Sequence, residues 1–86
     1  MPVIAKFYGI VIRMLCVKLL GARIHAFYEN WELVIGLAPL RIIQGDAPYW
    51  VQNRVMAWAA KHEQDLLTAW NTCAHGHRPG MISSLV

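Results

Sequence analysis

A chain of 86 residues, 57% of them hydrophobic and 15% charged, is too short for two independent cores and too apolar to stay disordered. Eight Lys and Arg against five Asp and Glu leave a formal charge of +3, which points only weakly to acidic partners. Its two cysteines, Cys16 and Cys73, make neither a disulfide framework nor a zinc site.

The amino-terminal run, residues 3–22, carries few polar groups, yet Lys6, Arg13 and Lys18 divide it into short apolar pieces. A spanning helix needs about 18 nearly uncharged residues. A charge at the bilayer centre costs about 2.5–3.5 kcal/mol, so Arg13 argues against a span. An export signal needs an apolar heart of about 7–15 residues, and Phe7 to Ile12 falls short of it. The chain reads as cytoplasmic and without a membrane partner, its cysteines reduced and serving as small apolar residues, although a Cys16–Cys73 pair is a second reading.

The first half has strand character. Phe7, Tyr8, Ile10, Val11 and Ile12 are aromatic or β-branched, and Gly9 among them suggests a bulge or a close backbone approach. In residues 23–28, Arg23, His25 and Phe27 share one face, with Ile24, Ala26 and Tyr28 on the other. Glu29-Asn30 suits a tight turn because Asn tolerates positive φ. Trp31 to Leu37 then returns as a second strand, which Ala38-Pro39 breaks. Leu40 to Gln44 forms one more, ended by Gly45-Asp46.

From Ala47 the period changes. Val51, Val55, Ala59, His62, Leu66, Trp70 and Cys73 recur every three to four residues, the spacing of an amphipathic helix. Asp46 suits the N-cap, Pro48 the first turn, and Gly76 the C′ position. One helix of about 25 residues, roughly 38 Å long, is predicted. The reading is an α+β fold of two layers, an antiparallel sheet of three to four strands with one long C-terminal helix packed on it. Residues 1–76 form the single domain; residues 77–86 are a tail, either loose or adding a short edge strand.

These pieces resemble a small bacterial family known as domain of unknown function 4160. The resemblance rests on Met1-Pro2 with Ile4, on Phe7 to Met14, and on His25-Ala26 with Tyr28. It continues through Gly45 and Pro48 to Trp58-Ala59, His62, Leu66-Leu67 and Trp70. It implies a compact cytosolic domain without an assigned reaction, often encoded beside another small protein, with regulatory or toxin–antitoxin roles. One departure matters. Where the family carries a loop of the type His-x-Pro-Pro-His-Phe-His, this chain runs from Leu15 to Ile24 with apolar residues and two basic ones. Only His25 remains of that pattern, which undermines any role the histidine cluster has in the family.

Chemistry-bearing constellations are sparse. His25, Trp58 and His62 form one possible cluster, with Trp58 and His62 spaced i, i+4 on a helical face. A lone strand histidine serves packing more often than ligation, because a metal site needs three or four ligands. His75-Gly76-His77 resembles a metal-binding fragment, but histidines at a frayed helix end are ordinarily solvated. No Cys–His–acid spacing, carboxylate pair or glycine-rich phosphate loop stands out. The expectation is therefore no metal, no cofactor, no catalytic residue and a non-enzymatic role.

Two binding readings remain. Protein association, with a partner or as a homodimer, draws on the four Trp, four Met and three Tyr residues. Its expected surface is Leu15, Leu19, Leu20, Trp31 and Trp50, since an exposed apolar patch usually marks a partner. The alternative is a nucleic-acid-binding component of a toxin–antitoxin-like or transcriptional system, with contacts at Arg13, Lys18, Arg23 and Arg41. A charge of +3 is modest beside the six to ten phosphate contacts of many binders, and no helix-turn-helix spacing is present.

Overall fold

The computed structural model describes residues 2–83. Five strands come first: β1 (Val3–Phe7), β2 (Ile10–Met14), β3 (Arg23–Tyr28), β4 (Trp31–Leu37) and β5 (Leu40–Asp46). Two helices follow, α1 (Tyr49–Lys61) and α2 (Glu63–Ala74). The strands pair in chain order as one antiparallel meander. The α+β expectation holds, while the expected three to four strands and single long helix are corrected to five strands and two helices.

The additional strand comes from the amino-terminal apolar run. Gly9 does not mark a bulge; Tyr8 and Gly9 are the two residues of a hairpin turn, with φ of 52° and 77°. That backbone matches the right-handed twist of a hairpin, so β1 and β2 fold back on each other with Phe7 opposite Ile10. The turn between β3 and β4 falls at Glu29-Asn30 as expected, although the left-handed residue is Glu29, at φ 52°, rather than Asn30. Ala38 and Pro39, joined by a cis peptide bond, connect β4 to β5. Gly45, at φ 92°, is dictated by contact as well as conformation, because a Cβ there would overlap the Glu32 carbonyl oxygen.

The helical stripe is interrupted at His62, whose φ of −112° and ψ of 23° depart from helix values. The Trp58 carbonyl still accepts from the His62 N–H at 3.1 Å, and the His62 carbonyl from the Leu66 N–H at 2.9 Å. The interruption is thus a bend. It contains neither proline nor glycine and falls where the His62 ring packs 5.5 Å from that of Trp58. Glu63 and Asp65 then place negative charge in the first turn of α2, where the helix dipole favours it.

Asp46 does not cap α1. The N-cap residue is Pro48, and the Asp46 carboxylate instead accepts from the Ala47 N–H at 2.8 Å. At the other end Gly76 serves as C′, at φ 86°. Its N–H donates to the Cys73 carbonyl at 3.0 Å and the His77 N–H to that of Thr72 at 3.1 Å, the paired bonds of a Schellman termination.

Both helices cover the sheet face that carries Ile12, Ile24, Ala26, Leu33 and Ile35, which form one buried cluster with Val51, Val55, Trp58 and Leu66. Trp58 is fully buried, with its ring 5.2 Å from that of Phe7. Its indole N–H donates to the Ser83 carbonyl at 2.7 Å. The segment after α2 therefore returns to the core, and the Ile82 N–H bonds the Ile4 carbonyl of β1 at 2.7 Å. Residues 79–83 follow this course without adding a strand, and residues 84–86 of the expected tail lie outside the described residues. No helix among the described residues is long and apolar enough to cross a membrane.

Cys16 and Cys73 are joined as a disulfide, 57 residues apart in sequence, with Cα atoms 5.6 Å apart. This corrects the reading of two reduced thiols. The bond ties the loop after β2 to the last turn of α2. Closing a loop of 57 residues restricts the unfolded chain, so its loss carries a stability cost. Replacing both cysteines by alanine is expected to lower the free energy of unfolding by about 2–4 kcal/mol. Urea denaturation checks this, with the reduced native chain expected to unfold close to the double variant.

Candidate interaction surfaces

His25, Trp58 and His62 do not form one cluster. Trp58 and His62 meet at a tilt of 46° from consecutive turns on the helix side. His25 projects from the opposite face of the sheet, since its neighbours Ile24 and Ala26 are the ones that enter the core. There its Nδ1 lies 3.0 Å from Glu32 Oε2, and its ring stacks on Phe27 at 6.3 Å. His62 Nδ1 lies 3.6 Å from Asp65 Oδ2. The Nε2 atoms of both imidazoles are buried without a hydrogen-bond partner. A hydrolytic centre shared by His25 and His62 has no geometric basis. Among the described residues, no group of three or more His, Cys, Asp or Glu is placed to hold a metal ion.

Of the five residues expected to form one apolar surface, the structure brings together Trp31 and Trp50. At the end of the sheet formed by the β1–β2 and β3–β4 turns, Tyr28 and Trp31 face each other as a cross-strand pair. The Tyr28 ring meets Trp50 of α1 edge-on at 5.0 Å. It also lies over Gly9, where an added Cβ would come within 3.5 Å of it. One helical turn beyond Trp50, the Arg54 guanidinium sits 4.3 Å over the Tyr8 ring. Tyr8, Trp31, Tyr49 and Trp50 all stay substantially exposed, Tyr49 to 77%. Partial burial, and then the neighbouring Glu29 carboxylate, raise the Tyr28 phenol above its ordinary value of 10.0.

Leu15, Leu19 and Leu20 lie at the opposite end of the sheet, in the loop after β2. Leu15 is half-buried, whereas Leu19, in a single 3₁₀ turn over Lys18–Leu20, is 98% exposed. Lys18 is exposed in the same turn. Arg13, Arg23 and Arg41 share the sheet face that the helices leave uncovered, Arg13 opposite His25 and both Arg23 and Arg41 opposite Gly36. The strand period thus gathers three of the four proposed nucleic-acid contacts on one face.

Sequence reasoning offers Tyr8 and Arg54 only as separate stacking and charged residues, and misses both their pairing beside Trp50 and Gly36 as the gap between two arginines. Treating Tyr8-Gly9 as a turn would have recovered the first of these, by setting Tyr8 beside the Glu29-Asn30 turn. Residues 9–71 match the family model described as Domain of unknown function (DUF4160). Comparison with curated proteins and with solved structures found no match.

The raised Tyr28 value gives stability a definite dependence at high pH. The unfolded chain loses the phenol proton near pH 10, before the folded chain does. Stability is therefore full below that value and falls as pH rises through the folded value. Urea midpoints taken from about pH 9 to 11 should decline more steeply for the native chain than for Tyr28→Phe.

Proposed function

The chain belongs to the DUF4160 family, a domain of unknown function, and from that premise we propose that it is a non-enzymatic protein-binding or regulatory module. Its partner is a second copy of the chain or a separately encoded protein. The aromatic end carries this reading. Scattered exposed apolar residues are ordinary, whereas Tyr8, Trp31 and Trp50 gather around Tyr28 and Arg54 at one end of the molecule. Trp, Tyr and Arg are the side chains that most often anchor interfaces, because they bury large areas at little rotamer cost.

A second reading is favoured by one observation, the common face of Arg13, Arg23 and Arg41. A nucleic-acid-binding role in a toxin–antitoxin-like or transcriptional setting would place these guanidinia on phosphates, with Lys18 at the margin. Such binding weakens steeply with added salt; affinity that is indifferent to salt would exclude this mode.

Sedimentation equilibrium from micromolar to millimolar protein tests the first reading. Mass is expected to rise with concentration, or to do so when the protein encoded beside this one is added. The double variant Trp31→Ala/Trp50→Ala should weaken that association by roughly 30-fold or more, the scale of a 2 kcal/mol anchor. A chain that remains monomeric at millimolar concentration and ignores the neighbouring protein would sink the proposal.

A further inference from the structure

The sheet end opposite the aromatic cluster holds a second feature. Arg23 of β3 and Arg41 of β5 both lie opposite Gly36 of β4, so three neighbouring strands present an Arg-Gly-Arg row on the uncovered face. Adjacent strands are about 4.8 Å apart, which sets the two arginine backbones roughly 10 Å from each other. Between them Gly36 contributes no side chain. A Cβ at Gly36 would meet Ile43 Cγ2 at 3.5 Å and the Pro39 carbonyl oxygen at 3.6 Å, so a single methyl group already reaches the walls. The resulting notch has a volume of about 160 Å³ and is walled by Leu20, Pro39 and Ile43 as well as the two arginines.

Its charge is one-sided. No Asp or Glu lines the notch. One guanidinium nitrogen of Arg23, Nη2, donates to the Leu20 carbonyl at 2.6 Å, which fixes the head group in place. Its Nε is buried with no hydrogen-bond partner. A buried N–H on a cation without an acceptor is costly; a small shift of the side chain that let an incoming oxyanion accept from it would relieve that cost. Arg41 is exposed, and its long stem can swing its fork over the gap above Gly36.

We propose that this notch binds a small tetrahedral oxyanion, a phosphoryl group of the size of inorganic phosphate, between Arg23 and Arg41. Two guanidinium forks approaching from opposite sides suit the separate oxygen edges of a tetrahedron, whereas one fork already uses both oxygens of a planar carboxylate. The site lies at the other end of the sheet from Trp31 and Trp50, so this proposal and the protein-binding reading stand or fall separately.

Inorganic phosphate titrated into the full chain, followed by ¹⁵N–¹H spectra that include the arginine Nε–H signals, is the test, with acetate as a parallel arm. Phosphate is expected to shift the Arg23 Nε–H signal saturably, and acetate to bind at least tenfold more weakly. Arg41→Gln, on an exposed side chain that the fold does not need, should weaken phosphate binding at least tenfold, as should Arg23→Gln. Gly36→Ala, whose methyl group is sterically tolerated, should weaken it as well. A lysine control outside the notch, Lys6→Gln, should leave it unchanged. The proposal is overturned if the Arg23 signal does not move at tens of millimolar phosphate. Acetate binding as tightly as phosphate, or Arg41→Gln binding as well as the native chain, overturns it equally.

Discussion

The fold turns on one fully buried indole. Trp58 fills the space between the sheet and the helices, in contact with Phe7 on one side and His62 on the other. An apolar ring gains from that burial, but its N–H must find an acceptor or forfeit much of the gain. The acceptor is the Ser83 carbonyl, and reaching it brings the chain after α2 back over the core. The same return sets the Ile82 N–H on the Ile4 carbonyl, at the irregular register between Val3 and Ala5 of the edge strand. Burial of Trp58 therefore organises the segment after the helices and satisfies part of an otherwise open sheet edge.

Covering one face of the meander and leaving the other open divides the chemistry of the molecule. Apolar residues of alternating parity enter the core, while the uncovered face carries Arg13, Arg23, Glu32 and Arg41 beside His25, Phe27, Val11 and Val34. The aromatic residues that find no room under the helices collect where the hairpin turns meet the start of α1. They are held there by mutual contact, Tyr28 against Trp50 and Arg54 over Tyr8. The uneven charge and the uneven apolarity of this small surface both follow from the same two-sided sheet.

Much of this was legible in sequence, and the failures have particular causes. The alternation of residues 23–37 identified a hairpin and its faces because one face is buried and the other is not. Gly76 was recognised as a helix terminator because only a left-handed residue completes that hydrogen-bond pattern. Tyr8-Gly9 was misread since a bulky aromatic seldom takes positive φ, so glycine alone seemed to account for the irregularity. Helical spacing continues undisturbed through the bend at His62, so periodicity could not reveal it. Cysteines 57 residues apart carry no local signal of pairing; only the path of α2 back to the loop after β2 brings them together. The basic face was hidden in the same way, because Arg13, Arg23 and Arg41 become neighbours only through register.

The loop from Leu15 to Ala22 changes meaning once its residues are placed. Its apolar character suggested a continuous sticky surface, yet Cys16 and Ala22 pack against the core and Leu15 is half-buried, while Val17, Leu19 and Leu20 stay outside. The disulfide to Cys73 pins one end of the loop and the first residues of β3 pin the other. Between these anchors the 3₁₀ turn presents the Leu20 carbonyl to Arg23, and that hydrogen bond sets the guanidinium at the rim of the gap above Gly36. A loop held this way costs little further ordering when a ligand arrives. Leu19, almost wholly exposed, takes no part in that support; the disulfide and the hydrogen bond from Arg23 to the Leu20 carbonyl are what hold the rim of the notch.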